Sequence, residues 1–159
     1  PGPEGQENLA QFVRQGGGAV LVHFACGAFQ EWPEFVQLAG RVWDPKLRGH
    51  DPHGTFRVDM VDSNHPITQG VPAFEVTDEL YTCLAGDPPI TVLATAVSKV
   101  DQKTYPMAFV LPYGQGRVFH SVLGHDVKAF STPAVGELFR RATAWAAGLP
   151  PVAEAASSP

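Results

Sequence analysis

Ala19 to Phe24, directly after Gly16-Gly17-Gly18, is apolar except for His23 near its end. A run of that kind predicts a strand buried on both faces, the type that parallel sheets contain. Ahead of it, residues 7–15 place Leu9, Phe12 and Val13 on one helical face, and the glycines end that helix. Glu31 to Gly40 reads as a short helix with Pro33 in its first turn and Gly40 at its end. Residues 41–54 show no period and predict an ordered loop. Thr55 to Val61 alternates Phe56, Val58 and Met60, the mark of a half-buried strand. Asn64-His65-Pro66 predicts a turn, and Ile90 to Ala94 a further strand. Lys99 to Lys103 is a polar turn. Tyr105 to Leu111 and Arg117 to Leu123 predict a hairpin closed through Tyr113-Gly114-Gln115-Gly116.

The last helix carries the clearest pattern. Thr132 is placed to cap it and Pro133 fits its first position. Val135, Leu138, Phe139, Ala142, Trp145 and Ala146 form one apolar stripe, which Gly148 and Pro150 terminate. This order of elements predicts one layered α/β domain over residues 1–150. The Ala-, Ser- and Pro-rich residues 151–159 are expected to be a disordered tail. No internal repeat is present.

Composition narrows the choice of partners. The 159 residues are 44% hydrophobic and 17% charged, with a formal net charge of −5, enough for one domain with a sizeable core. There is no basic stripe, so neither nucleic acid nor an anionic membrane surface is an expected partner. No apolar run is long enough to span a bilayer. With only two cysteines, Cys26 and Cys83, both are expected as free thiols. No signal peptide is visible, which leads to a cytoplasmic expectation.

Chemistry in α/β proteins collects where buried strands run out into loops. His23 and Cys26 follow one such strand and His125-Asp126 another, so the question is whether the two strand ends share a pocket.

Several further motifs occur together with these. They run from Gly16-Gly17-Gly18-Ala19-Val20-Leu21-Val22-His23 through Trp32, Phe35 and Leu38-Ala39-Gly40 to His50. His65-Pro66-Ile67-Thr68 with Gly70, Asp78-Glu79-Leu80-Tyr81 and Val92-Leu93-Ala94 come next. Tyr105-Pro106-Met107-Ala108, Gly114-Gln115-Gly116-Arg117-Val118-Phe119 and Leu123-Gly124-His125-Asp126 complete the series. In this order, over roughly residues 8 to 149, the chain resembles the ThuA-like (trehalose utilisation) family, related in fold to class I glutamine amidotransferases. The resemblance implies a flavodoxin-like, amidotransferase-like layered sheet with flanking helices. It also implies an upstream strand–helix–strand portion that this sequence does not contain. An uncovered sheet edge would follow, which a second copy of the chain could cover as a homodimer. The implied function is carbohydrate metabolism, on a disaccharide or a 3-keto sugar. If the domain is an enzyme, the implied reaction is isomerisation or hydrolysis.

Against that background His23 and His125 are expected as acid and base on a sugar hydroxyl or carbonyl, with Asp126 orienting an imidazole. Trp32, His50, Glu79 and Tyr81 are expected to bind substrate, Trp32 by stacking on a pyranose ring. The neighbouring carboxylates Asp78 and Glu79 should point in different directions, so no paired-carboxylate mechanism is expected. A non-catalytic sugar-binding domain is the first alternative. A Cys-dependent hydrolase is the second, with Cys26 as nucleophile and His125 as partner, although the glycine that precedes the nucleophile in amidotransferases is absent here. His50-Asp51-Pro52-His53 offers two imidazoles and a carboxylate, which His23 or His125 could complete as a metal site. Pro52 constrains that loop and no helical His-x-x-x-His pair exists, so neither a metal nor another cofactor is assigned. Gly16 to Gly18 precede a strand and lack the Lys-Ser/Thr of a phosphate loop. His65 is expected as a turn device, and His120 as a strand residue without catalytic meaning.

Overall fold

The computed structural model describes residues 2–152. Its centre is a six-stranded sheet built from β1 (Gly18–Val22), β2 (Gly54–Met60), β3 (Phe74–Asp78), β4 (Thr91–Val97), β5 (Thr104–Tyr113) and β6 (Gly116–Ser121). Their spatial order is β1-β6-β5-β4-β2-β3. Beside the sheet lie α1 (Pro3–Arg14), α2 (Phe35–Ala39), α3 (Val127–Phe130) and α4 (Pro133–Ala146). A 3₁₀ turn, His23–Gly27, follows β1 directly.

Among the described residues β1 and β6 form the one parallel pair, and the other pairings are antiparallel. The parallel pair decides where the site lies. Val22 is in register with Ser121. His23 and Val122 therefore leave the sheet side by side, at the carboxyl ends of both strands. That is the edge at which open α/β sheets hold their ligands.

The core forms on both faces of the sheet. On one, Phe119, Leu123, Leu138 and Ala142 pack together, with the α4 stripe as predicted. On the other, Val13 of α1 and Leu38 of α2 pack against Phe109 and Val118. The predicted hairpin is present, with Tyr113 paired to Gly116.

Two expectations need correction, and two elements lie outside what the pattern predicts. The expected strand Ala19–Phe24, buried on both faces, stops instead at Val22, and all five residues of β1 are only half-buried, because β1 is an edge strand with a single neighbour. Thr132 precedes α4 without a side-chain capping bond. Residues 74–78 form a strand that the pattern left unassigned. Four-residue α3 is too short to show a period. The expected tail at 151–159 falls mainly outside the described residues. No described helix is long and apolar enough to cross a membrane.

Candidate active site

The site grows out of the two strand ends. His23 sits at φ 49°, the left-handed region that a non-glycine residue occupies at a cost. That bend turns its ring back across the end of the sheet, where its Nδ1 lies 2.8 Å from the Val122 carbonyl. A carbonyl can only accept, so Nδ1 carries a proton, and in the neutral ring Nε2 presents its lone pair. Fixing the tautomer through the far nitrogen also fixes the direction of the free one.

Three groups converge on that Nε2. His125 Nδ1 is 3.2 Å away, Glu79 Oε2 is 3.4 Å away and the Tyr81 hydroxyl makes a long contact at 3.5 Å. His125 Nδ1 also lies 3.1 Å from Glu79 Oε2. On the other side of the carboxylate, His50 Nε2 is 3.9 Å from Oε1. The His50 ring is held like that of His23, by Nδ1–H donating to a backbone carbonyl, here that of Asp51 at 2.7 Å. The side chains of His23 and Glu79 are 11% and 16% exposed and that of His125 is 42% exposed, so the cluster is sunken but open on the His125 side.

One residue that the sequence reading left in the background holds this together. Asp78 is fully buried at the end of β3. Its carboxylate accepts from the backbone N–H of Glu79 at 2.8 Å, of Gly124 at 2.7 Å and of His125 at 3.1 Å. Charge-assisted bonds of this kind are about twice as strong as neutral ones. Gly124 has φ 107°, and a Cβ there would meet the Phe130 ring at 2.7 Å. This turn needs glycine, and through it the chain brings His125 back toward Glu79. As expected, the two neighbouring carboxylates diverge: Asp78 binds backbone and Glu79 faces imidazoles.

The other nominated residues divide. Tyr81 lies in the cluster, its ring 4.8 Å from that of His23 and edge-on to it. Burial, reinforced by Cys26, Glu79 and Asp78 nearby, raises its phenol well above the ordinary value, so it stays protonated. Asp126 is occupied otherwise. It caps α3 by accepting from Ala129 N–H at 2.8 Å and lies 3.7 Å from His53 Nε2. The capping bond, helped by His53 and His125, keeps its carboxyl below the usual range. Trp32 stacks with Phe35 at 5.9 Å and lines a cleft of about 330 Å³ away from the imidazole cluster. The aromatic that reaches the cluster is Trp43, 5.7 Å from Tyr81 and 6.3 Å from His50, and it lines the same cleft. A second cleft of about 300 Å³ is lined by Asp51, His53, Lys99 and Phe56. His53 joins it to the cluster, its ring 5.6 Å from that of His125.

Cys26 is completely buried, and burial pushes its thiol up to about 12. A thiol in that setting stays protonated and behaves as a small core hydrophobe. His65 does act as a turn device, its Nδ1 accepting from Ile67 N–H at 3.2 Å. His120 is wholly buried with Nδ1 at 2.9 Å from the Ala39 carbonyl, and burial lowers it to about 4.

Comparison with known proteins places the chain among relatives. A family model described as trehalose utilisation, ThuA, matches residues 2–146. No curated protein matches the chain. Among solved structures, a ThuA-like protein from Parabacteroides merdae is 26% identical with a TM-score of 0.83, covering 99% of this chain and 70% of its own. A ThuA-like protein from Bacteroides uniformis is 21% identical with a TM-score of 0.69, covering 92% of this chain and 66% of its own. A cytoplasmic protein from Salmonella typhimurium shares the fold at 15% identity and a TM-score of 0.64, covering 92% of this chain and 59% of its own. The chain thus spans between 59% and 70% of the length of these three.

Proposed function

The chain belongs to the ThuA, or trehalose-utilisation, family, and from that premise we propose that it takes a disaccharide or an oxidised, 3-keto sugar at the cluster of His23, Glu79 and His125 and moves protons on it. The observation that carries this reading is the convergence of His23 Nε2 and His125 Nδ1 on one oxygen of Glu79, at 3.4 and 3.1 Å. Two imidazoles on one carboxylate can take a proton at one nitrogen and return it at the other. A sugar isomerisation or elimination next to a carbonyl asks for that. His125, the more exposed ring, faces the substrate, while the more deeply set His23 and Glu79 adjust its charge. His50 and the protonated Tyr81 hydroxyl supply hydrogen bonds to sugar hydroxyls. Trp43, rather than Trp32, offers an aromatic face beside the cluster.

The test is turnover on a panel of disaccharides and their 3-keto derivatives. His125→Ala should lower turnover by about 10²- to 10⁴-fold, the usual contribution of a positioned acid or base, with an unchanged circular dichroism spectrum. Undiminished turnover removes His125 from the chemistry. Saccharide binding without product from any member of the panel would favour a non-catalytic sugar-binding domain.

A further inference from the structure

We infer that His23 Nε2, His125 Nδ1 and the Glu79 carboxylate form a binding site for one divalent transition-metal ion of the zinc class. The inference concerns the same pocket as the proposed function but does not depend on any sugar, since metal uptake is measured without substrate.

The geometry is the first ground. The three ligand atoms form a nearly equilateral triangle with edges of 3.1, 3.2 and 3.4 Å. An ion that holds nitrogen and oxygen at about 2.1 Å keeps its ligand atoms roughly 3.0 Å apart at right angles and about 3.4 Å apart in a tetrahedron. All three edges fall in that interval. The rings agree. Two imidazoles sharing a tetrahedral ion have centres roughly 5 Å apart, and those of His23 and His125 are 5.1 Å apart, with planes at 72°. An ion about 2.1 Å from all three atoms would stand about 1 Å out of their plane. Its remaining positions would stay open, as in catalytic rather than structural zinc sites.

The second ground is a shortage of protons. His23 spends its Nδ1–H on the Val122 carbonyl, so its Nε2 is an acceptor. Glu79 Oε2 is also an acceptor. Between these two lone pairs and that of His125 Nδ1 there is one ring proton at most while both rings are neutral, and the Tyr81 hydroxyl reaches His23 Nε2 only at a long 3.5 Å. A cation satisfies all three at once. The surroundings match what metal ligands require. An imidazole ligand donates its other N–H to a carbonyl, as His23 does, and the backbone of the other two ligands is fixed, here by Asp78. Two imidazoles and one carboxylate suit zinc and its first-row neighbours better than magnesium or calcium, which prefer all-oxygen sites.

This set differs from the loop set considered from sequence. His53 is turned to Asp126, and His50 reaches only the far oxygen of Glu79. Loaded with its ion, the pocket would polarise a sugar carbonyl or activate water, taking over the part given above to the imidazole–carboxylate relay.

The test strips the purified full chain with a chelator and titrates it with Zn²⁺ and, separately, with Co²⁺. One equivalent of either ion should bind, raise the melting temperature and, for Co²⁺, produce visible ligand-field absorption. Glu79→Ala and His125→Ala should each weaken uptake at least 100-fold and abolish the cobalt spectrum while retaining the native circular dichroism. His53→Ala should leave affinity within about threefold. The inference is overturned if the folded wild-type chain takes up neither ion, or if uptake survives Glu79→Ala and His125→Ala unchanged. Sugar binding by the stripped protein separates the two readings: sugar bound without any metal uptake sinks the metal site alone.

Discussion

Asp78 is the residue on which the cluster depends, although it touches no imidazole. Its two oxygens are shared among three backbone N–H groups, one on its own strand end and two on the loop that carries His125. An amide in its place can serve only part of that set, because its NH₂ must face a backbone donor. Asp78→Asn should therefore lower unfolding stability by about 2 kcal/mol in a denaturant titration, in the range for hydrogen bonds to a charged group. It should also reduce turnover by displacing His125 and Glu79 together. Unchanged stability would mean that the loop is held by something else. His23 shows the same economy: one strained φ angle and one bond to Val122 set both its tautomer and its aim.

Among the elements, α3 shows how a residue that reads as catalytic can be structural. Asp126 follows the most prominent histidine, but its oxygen is spent on Ala129 N–H. Asp126→Ala should cost about 1 kcal/mol in thermal or urea unfolding, while Asp126→Ser, which keeps an accepting oxygen, should recover most of it. A loss of turnover in Asp126→Ala that Asp126→Ser does not mend would return the residue to the chemistry. The elements that the sequence made legible are those whose pattern is long enough to be periodic, such as the α4 stripe, the β5–β6 hairpin and the alternation of β2. The strand-end histidines were legible too, because an apolar run that stops at a polar, chemically able residue marks a site in this class of fold. Other features were hidden for physical reasons. In β3 only Phe74, Val76 and Asp78 point inward, and the last of these is a carboxylate, which masks the alternation. The reach of Asp78 to Gly124 spans 46 residues, and Trp43 comes to His50 and Tyr81 through an aperiodic loop. No local spacing encodes either contact. The pattern nominates Glu79 only as one substrate-binding residue among several for the same reason: its central place exists only once β3 lies across the sheet from β1 and β6.

For the molecule as a whole, sheet order explains why the site is where it is. The parallel β1–β6 pair delivers His23 and His125 to one edge, and the chain from β3 crosses that edge to bring Glu79 and Tyr81. Two clefts flank the cluster, one lined by Trp43 and the other by His53. The six histidines provide internal reporters of this arrangement. His23, His50, His53 and His125 lie in or beside the pocket, whereas His65 packs on Trp145 and His120 is sealed against Phe109. The most direct measurement is a titration of the ¹⁵N-labelled chain with trehalose and its 3-keto derivative, following the imidazole resonances by nuclear magnetic resonance. The account predicts that the signals of His23, His50 and His125 move together and saturate while those of His65 and His120 stay fixed. Movement confined to His65 or His120, or no movement with any sugar of the panel, would contradict it.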